Sequence, residues 1–253
     1  MLLVNGCSYT YGDELKRPDK QRWSNYLQYD AHNIARCGAS NPKIFRTTMD
    51  ALMYDDGKYD GVIIMWSAFE RMEFINMSAH NLDWSGNPDH NPWVDASPAR
   101  LDSRKYPPVT KKVEALQHYY NELYTNEGGI WMLACYMTWI YELCKMKGID
   151  CMQGWFHQAM LSRYRRQFSG NNDRFLGGRL PFIERPVASK MNSLPDWCLI
   201  GCPGTDYRSF NAFTEEGGYR KMPEQHPGPE AHKAYADYLN SIIDEHRLFE
   251  EKK

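Results

Sequence analysis

Met1-Leu2-Leu3-Val4-Asn5-Gly6-Cys7-Ser8-Tyr9-Thr10-Tyr11-Gly12 opens the chain, and its reading frames everything that follows. Leu2–Asn5 is a short, continuous apolar run that stops at Gly6. A run of that kind, rather than an alternating one, is the pattern of a parallel strand covered on both faces. A serine placed just beyond such a strand, between Gly6 and Gly12, sits where a sharp turn can lift its hydroxyl to the edge of a sheet. The glycines tolerate the backbone angles that such turns need.

Moving outward, the chain alternates strands and helices. Trp23–Tyr29 has helical spacing, and His32–Ala35 reads as a second strand. Pro42–Tyr54 follows a Ser40-Asn41 cap signal, with Ile44, Thr48 and Leu52 on one face. Tyr59–Trp66 is the clearest strand. Helical character returns at Val113–Tyr124 and at Ile130–Lys147. Ile149–Phe156 reads as a fourth strand and Trp197–Ile200 as a fifth. In the last helix Pro229 suits the first helical position, and Ala231, Tyr235, Tyr238 and Ile242 fall on one face. This alternation predicts a single α/β domain, a three-layer α/β/α sandwich on a mainly parallel sheet. Two irregular regions interrupt it: a proline-rich insertion at 76–108, expected as a lid, and a second at 158–195. Both follow strands, on the side where such sheets bind ligands.

Composition narrows the function. The 253 residues carry 30 Lys+Arg against 32 Asp+Glu, a formal net charge of −2. That speaks against a nucleic-acid or anionic-membrane footprint. Seven scattered cysteines give no disulfide framework, so reduced thiols and a cytoplasmic setting are expected. Met1–Gly6 has no basic n-region and no apolar run of useful length, so no signal peptide is expected, and the apolar stretch Ile130–Met146 is broken by Glu142 and Lys145, which suits a buried helix rather than a membrane span. His32, His80, His90 and His118 lack metal-ligand spacing, and neither a Walker A nor a GxGxxG motif is present, so no metal and no cofactor is expected.

His226-Pro227-Gly228-Pro229 puts a histidine in a constrained loop before the last helix. The positive end of that helix keeps a nearby imidazole neutral, as a general base requires. Glu224, close upstream, is the carboxylate expected to orient it. Cys7 is a competing nucleophile, but neighbours in an extended segment face opposite ways. If Ser8 faces the cleft, Cys7 faces the core. His157, at the end of the fourth strand, is either a spare base candidate or a packing or rim residue.

Together these segments resemble the SGNH (GDSL-like) hydrolases, particularly their divergent phage and marine members. Gly6-Cys7-Ser8-Tyr9-Thr10-Tyr11-Gly12 resembles the first block, with Cys7 in place of the usual aspartate and Ser8 as nucleophile. Asn33-Ile34-Ala35-Arg36-Cys37-Gly38-Ala39-Ser40-Asn41 resembles the second, where the Gly38 amide would join that of Ser8 in the oxyanion hole. His226-Pro227 with His232 resembles the last. Two departures stand out. Pro223 occupies the place of the usual acid, leaving Glu224 or a dyad. Phe69, in Trp66-Ser67-Ala68-Phe69-Glu70-Arg71, replaces the third block's asparagine, so Arg71 or Asn41 is expected to supply the missing donor. The resemblance implies a flavodoxin-like fold and hydrolysis of small acyl or acetyl-carbohydrate esters. Its alternatives are an acyltransferase and a glycan-binding or assembly module without chemistry. Arg163, Arg165, Arg166, Arg174, Arg179 and Arg185, against Asp173 and Glu184, form either a solvated basic loop or a grip for an acidic substrate. Trp84, Trp93 and Trp155 could stack on sugar rings, with buried packing as the default for tryptophan.

Overall fold

The structure, a computed structural model, describes residues 1–55, 57–75, 93–96, 98, 111–156, 194–195, 198–201 and 207–250. Five strands form one sheet: β1 (Leu2–Gly6), β2 (Ala31–Asn33), β3 (Gly61–Trp66), β6 (Asp150–Trp155) and β7 (Leu199–Ile200). Their order is β2-β1-β3-β6-β7, and every neighbouring pair is parallel. A separate antiparallel pair joins β4 (Met72–Ile75), just before the predicted insertion, to β5 (Trp93–Ala96), within it. The rest of 76–108, and nearly all of 158–195, lies outside the described residues, as do His80, His90, His157, Trp84 and the six arginines.

Side-chain alternation along the strands builds two cores. Leu3, Val62, Ile64 and Trp66 pack with Ile44 and Leu52 of α3 (Asn41–Tyr54) and with Leu133, Met137 and Ile140 of α5 (Asn126–Lys147). Leu2, Val4, Ile63, Met65 and Met152 face the other way. They meet Phe210 of α6 (Phe210–Glu216) and Tyr235, Leu239 and Ile242 of α7 (Pro229–His246). A sheet covered on both faces favours apolar residues on both, which is why Leu2–Val4 and Val62–Trp66 are continuous apolar runs. Each fully buried Leu or Ile contributes roughly 1.5–3 kcal/mol. The three-layer α/β/α sandwich and flavodoxin-like strand order are thus present.

Local signals place the helices. Ser40 Oγ accepts the Lys43 amide at the start of α3. Thr125 Oγ1 accepts the Gly128 amide at the start of α5, and Gly148 ends that helix in a left-handed conformation (φ +70°). The polar exception on β1 is Asn5, buried on the α3 side. Its amide nitrogen reaches the Ile44 carbonyl and the Thr47 and Thr48 hydroxyls at 2.9–3.0 Å. That bond set fixes α3 against the strand that leads to Ser8.

Several boundaries differ from expectation. Trp23–Tyr26 is a single 3-10 turn between α2 (Pro18–Gln21) and β2, and β2 ends at Asn33. Asn33, the last paired residue of β2, braces its surroundings: its side chain donates to the Thr10 carbonyl and Ser24 Oγ and accepts the Ala35 amide. The predicted helix at Val113–Tyr124 begins earlier, as α4 (Lys111–His118), and widens into a π-helical turn at Tyr119–Leu123. The short helix α6, capped by Ser209, has too few turns to show an apolar period.

Candidate active site

The chain runs from β1 outward to β2 and then crosses back to β3 on the other side of β1, and the carboxyl ends of β1 and β3 form the crevice where open α/β sheets hold ligands. Ser8 lies there. It is the first residue of α1 (Ser8–Tyr11), which starts directly after β1. The reversal is tight: the Cys7 carbonyl accepts the Thr10 and Tyr11 amides, and the Ser8 carbonyl accepts those of Gly12 and Asp13. A Cβ on Gly6 would stand 2.3 Å from Thr10 Oγ1 and 2.8 Å from the Met65 carbonyl, so the turn requires glycine. Cys7 points into the α3–α5 core. As the first helical residue, Ser8 has no intrahelical acceptor for its own N–H.

His226 arrives from the far end of the chain. Lys221 and Pro227 form an isolated antiparallel bridge, and a turn between them bonds the Gln225 amide to the Met222 carbonyl and the Met222 amide to the His226 carbonyl. Gln225 takes φ +72° there. The His226 ring packs against Tyr9, with centroids 5.2 Å apart, and Tyr9 also touches Phe156 at 4.9 Å. The Tyr9 hydroxyl is 3.4 Å from the Gln225 carbonyl and 3.5 Å from Asn211 Oδ1. Burial, helped by Cys7 and Glu215, pushes that hydroxyl up to about 12, so it is a neutral donor.

The carboxylate on His226 is Glu14, not Glu224. Glu14 Oε2 lies 2.9 Å from His226 Nδ1 and accepts the His226 amide at 3.3 Å. Its other oxygen accepts the Glu224 amide at 2.9 Å. Glu224 itself is exposed and gives this network only its main chain. Burial works against the Glu14 charge, but the Glu224 amide and the His226 ring and amide outweigh it and hold the carboxyl below its ordinary value. Glu14 adopts φ +64° to reach the ring. Left-handed backbone at non-glycine residues costs about 1–2 kcal/mol each, and Glu14 and Gln225 flank the same contact. Bonded in this way, Nδ1 carries the proton and Nε2 is the basic nitrogen. The nearest carboxylate to Nε2 is Asp13, at 3.9 Å. Among the described residues, no hydrogen bond joins the Ser8 hydroxyl to the ring.

Gly38 sits in a turn closed by the Ala39 amide on the Arg36 carbonyl, with φ +72°. Among the described residues its N–H has no acceptor. Asn41 is differently employed. Its amide nitrogen donates to the Ser67 and Ala68 carbonyls and its oxygen accepts the Ser67 amide. It braces the end of β3 and has no hydrogen left for an oxyanion. Arg71 follows that brace, its amide on the Ala68 carbonyl, with a buried Nη1 that has no hydrogen-bond partner. Phe69, in the place of the expected asparagine, is buried in the α3–α5 core and packs edge-on to Trp155.

Other expectations resolve into packing. Trp155 is wholly buried and offers no face to a sugar. His232 is a core residue whose Nδ1 accepts the Trp23 amide at 3.1 Å. His32 bonds Tyr59 and His118 bonds Glu122. Among the described residues no cluster of His, Cys, Asp and Glu could hold a metal ion, and no helix is long and apolar enough to cross a membrane.

No protein-family model matches the sequence, and no curated protein matches it. Among solved structures, the crystal structure of TesA aligns over 96% of this chain and 96% of its own, with 14% sequence identity and a TM-score of 0.45.

Proposed function

We propose that this chain is a serine ester hydrolase of the SGNH (GDSL-like) type, acting on small acyl esters, among them acetylated carbohydrates. The observation that carries the reading is the Glu14–His226 contact, formed on the same strand-end turn that presents Ser8. It supplies an oriented base; set against Ser8 at the end of β1, that base would give the arrangement nucleophilic acyl transfer requires.

In the proposed reaction His226 Nε2 takes the Ser8 proton as Oγ attacks the acyl carbonyl. The carbonyl π-electrons move onto oxygen, and the Ser8 and Gly38 amides receive the developing charge. Arg71 is the remaining candidate donor. The imidazolium, held by Glu14, returns its proton to the departing alkoxide as the C–O bond breaks. Water, deprotonated by His226, then attacks the acyl-serine. Its carbonyl C–O bond to Ser8 breaks, Ser8 recovers the proton, and the carboxylic acid is freed.

Hydrolysis of p-nitrophenyl acetate tests this reading. Wild type should turn over, and Ser8→Ala should abolish turnover while shifting the melting temperature little. Equal rates in the two proteins exclude a serine mechanism. A second reading, a glycan-binding module without chemistry, draws on the absent Ser8–His226 hydrogen bond. Catalytic hydrogen bonds often tighten only in the substrate complex, so labelling of Ser8 by a fluorophosphonate probe decides between the two.

A further inference from the structure

β4 and β5 pair so that Glu73 stands directly opposite Asp95. Two carboxylates facing each other across an antiparallel pair repel. Here both are met by α3. Arg46 grips Glu73 through Nε and Nη2, at 3.0 and 2.8 Å. Lys43 Nζ bonds Asp95 Oδ2 at 2.6 Å. Lys43 and Arg46 are three apart and share one helix face. The strand pair is therefore docked on α3 by charge.

Asp95 does more than dock. Its other oxygen, Oδ1, accepts both the Ser40 amide, at 3.1 Å, and the Ser40 hydroxyl, at 2.7 Å. Ser40 closes the segment that carries Gly38. At the other end of that segment the Arg36 amide bonds the carbonyl of Gly6, the residue that ends β1. The Gly38 turn is thus strung between two posts: the strand that presents Ser8, and a carboxylate from the β4–β5 pair. Among the described residues, Glu73 makes no such contact with the turn.

We infer that Asp95 is a positioning residue, which sets the distance between the Gly38 N–H and the acyl oxygen by anchoring Ser40. The inference rests on the hydrolase reading for its effect on rate, but the anchoring itself is measurable without turnover. Misplacing a catalytic donor by about 1 Å can cost ~10²-fold in rate, whereas weakening a remote clamp costs stability alone.

The test compares Asp95→Ala, Asp95→Asn and Glu73→Gln in p-nitrophenyl acetate hydrolysis, with hydrogen exchange at the Ala39 amide followed by NMR. Asp95→Ala should lower kcat by about 10- to 100-fold with KM within twofold, and speed Ala39 exchange at least tenfold. Asp95→Asn, whose amide oxygen can still accept from Ser40, should restore most of both. Glu73→Gln should lower the melting temperature but leave kcat and Ala39 exchange within about threefold. If Asp95→Ala leaves Ala39 exchange unchanged, or if Glu73→Gln reproduces its effects, the positioning role is wrong. If wild type shows no Ser8-dependent turnover while the exchange results hold, the hydrolase reading fails and the anchor stands.

Discussion

Glu14 Oε2 and His226 Nδ1 lie 2.9 Å apart across a sequence separation of 212 residues. One comes from the turn after the first strand and the other from the loop before the last helix. Their contact joins the two ends of the chain at the crevice, and the Glu224 amide on the second Glu14 oxygen closes the network.

This arrangement separates two carboxylates that sequence spacing confuses. Glu14→Gln should reduce Ser8-dependent hydrolysis by ~10²- to 10⁴-fold, because a neutral amide no longer secures the tautomer or balances the imidazolium. Glu224→Gln should stay within about twofold of wild type. Steady-state kinetics on the two variants checks this, and a larger loss in Glu224→Gln would transfer the orienting role back to it.

Gly6 tests the strand-to-helix reversal. An alanine Cβ would collide with Thr10 Oγ1 and with the Met65 main chain, which cannot swing aside. Gly6→Ala should destabilise the protein by ~1–3 kcal/mol, the usual cost of overpacking. Urea denaturation measures it; a midpoint equal to wild type would show that the turn has room to spare.

His232 gives the stability a pH dependence. Burial, aided by the nearby His226, depresses its value from 6.5 to about 3. The unfolded chain therefore takes up a proton near pH 6.5, while the folded protein refuses it until about pH 3. Between these limits the unfolded state binds more protons, so this contribution is complete above pH 6.5 and is lost progressively as pH falls toward 3. His232→Asn can still accept the Trp23 amide but does not titrate. Its melting temperature should fall less steeply with acidification than that of wild type. Parallel slopes for the two proteins would assign the acid sensitivity elsewhere.

Much of this was legible in the residues, and the reasons are local. Continuous apolar runs mark β1 and β3, Ser40 and Pro229 mark helix starts, and Gly6 and Gly12 mark the turn that holds Ser8. These signals act over a few residues, where sterics and capping decide the outcome. Glu14 was not legible in that way. Its partner lies at the opposite end of the chain, and the only hint is an acidic pair, Asp13-Glu14, directly after Gly12. Asn41 misleads for a related reason: a polar side chain near a candidate site can as well satisfy buried carbonyls, and here it satisfies those of Ser67 and Ala68. The paired carboxylates of β4 and β5 become meaningful only once the register sets Glu73 across from Asp95.

The strand that leads to Ser8 is made first, yet it ends up flanked on both sides by later neighbours. At the usual pace of ribosomal synthesis, about 5–20 residues per second, Glu14 waits roughly 10–40 s for His226 to be made. Until α7 emerges, Leu2, Val4 and Ile63 lack the cover that Tyr235, Leu239 and Ile242 give that side of the sheet. A nascent chain therefore leaves part of β1 and β3 uncovered until α7 is made, and a crevice that needs Glu14 against His226 is complete only once both residues exist.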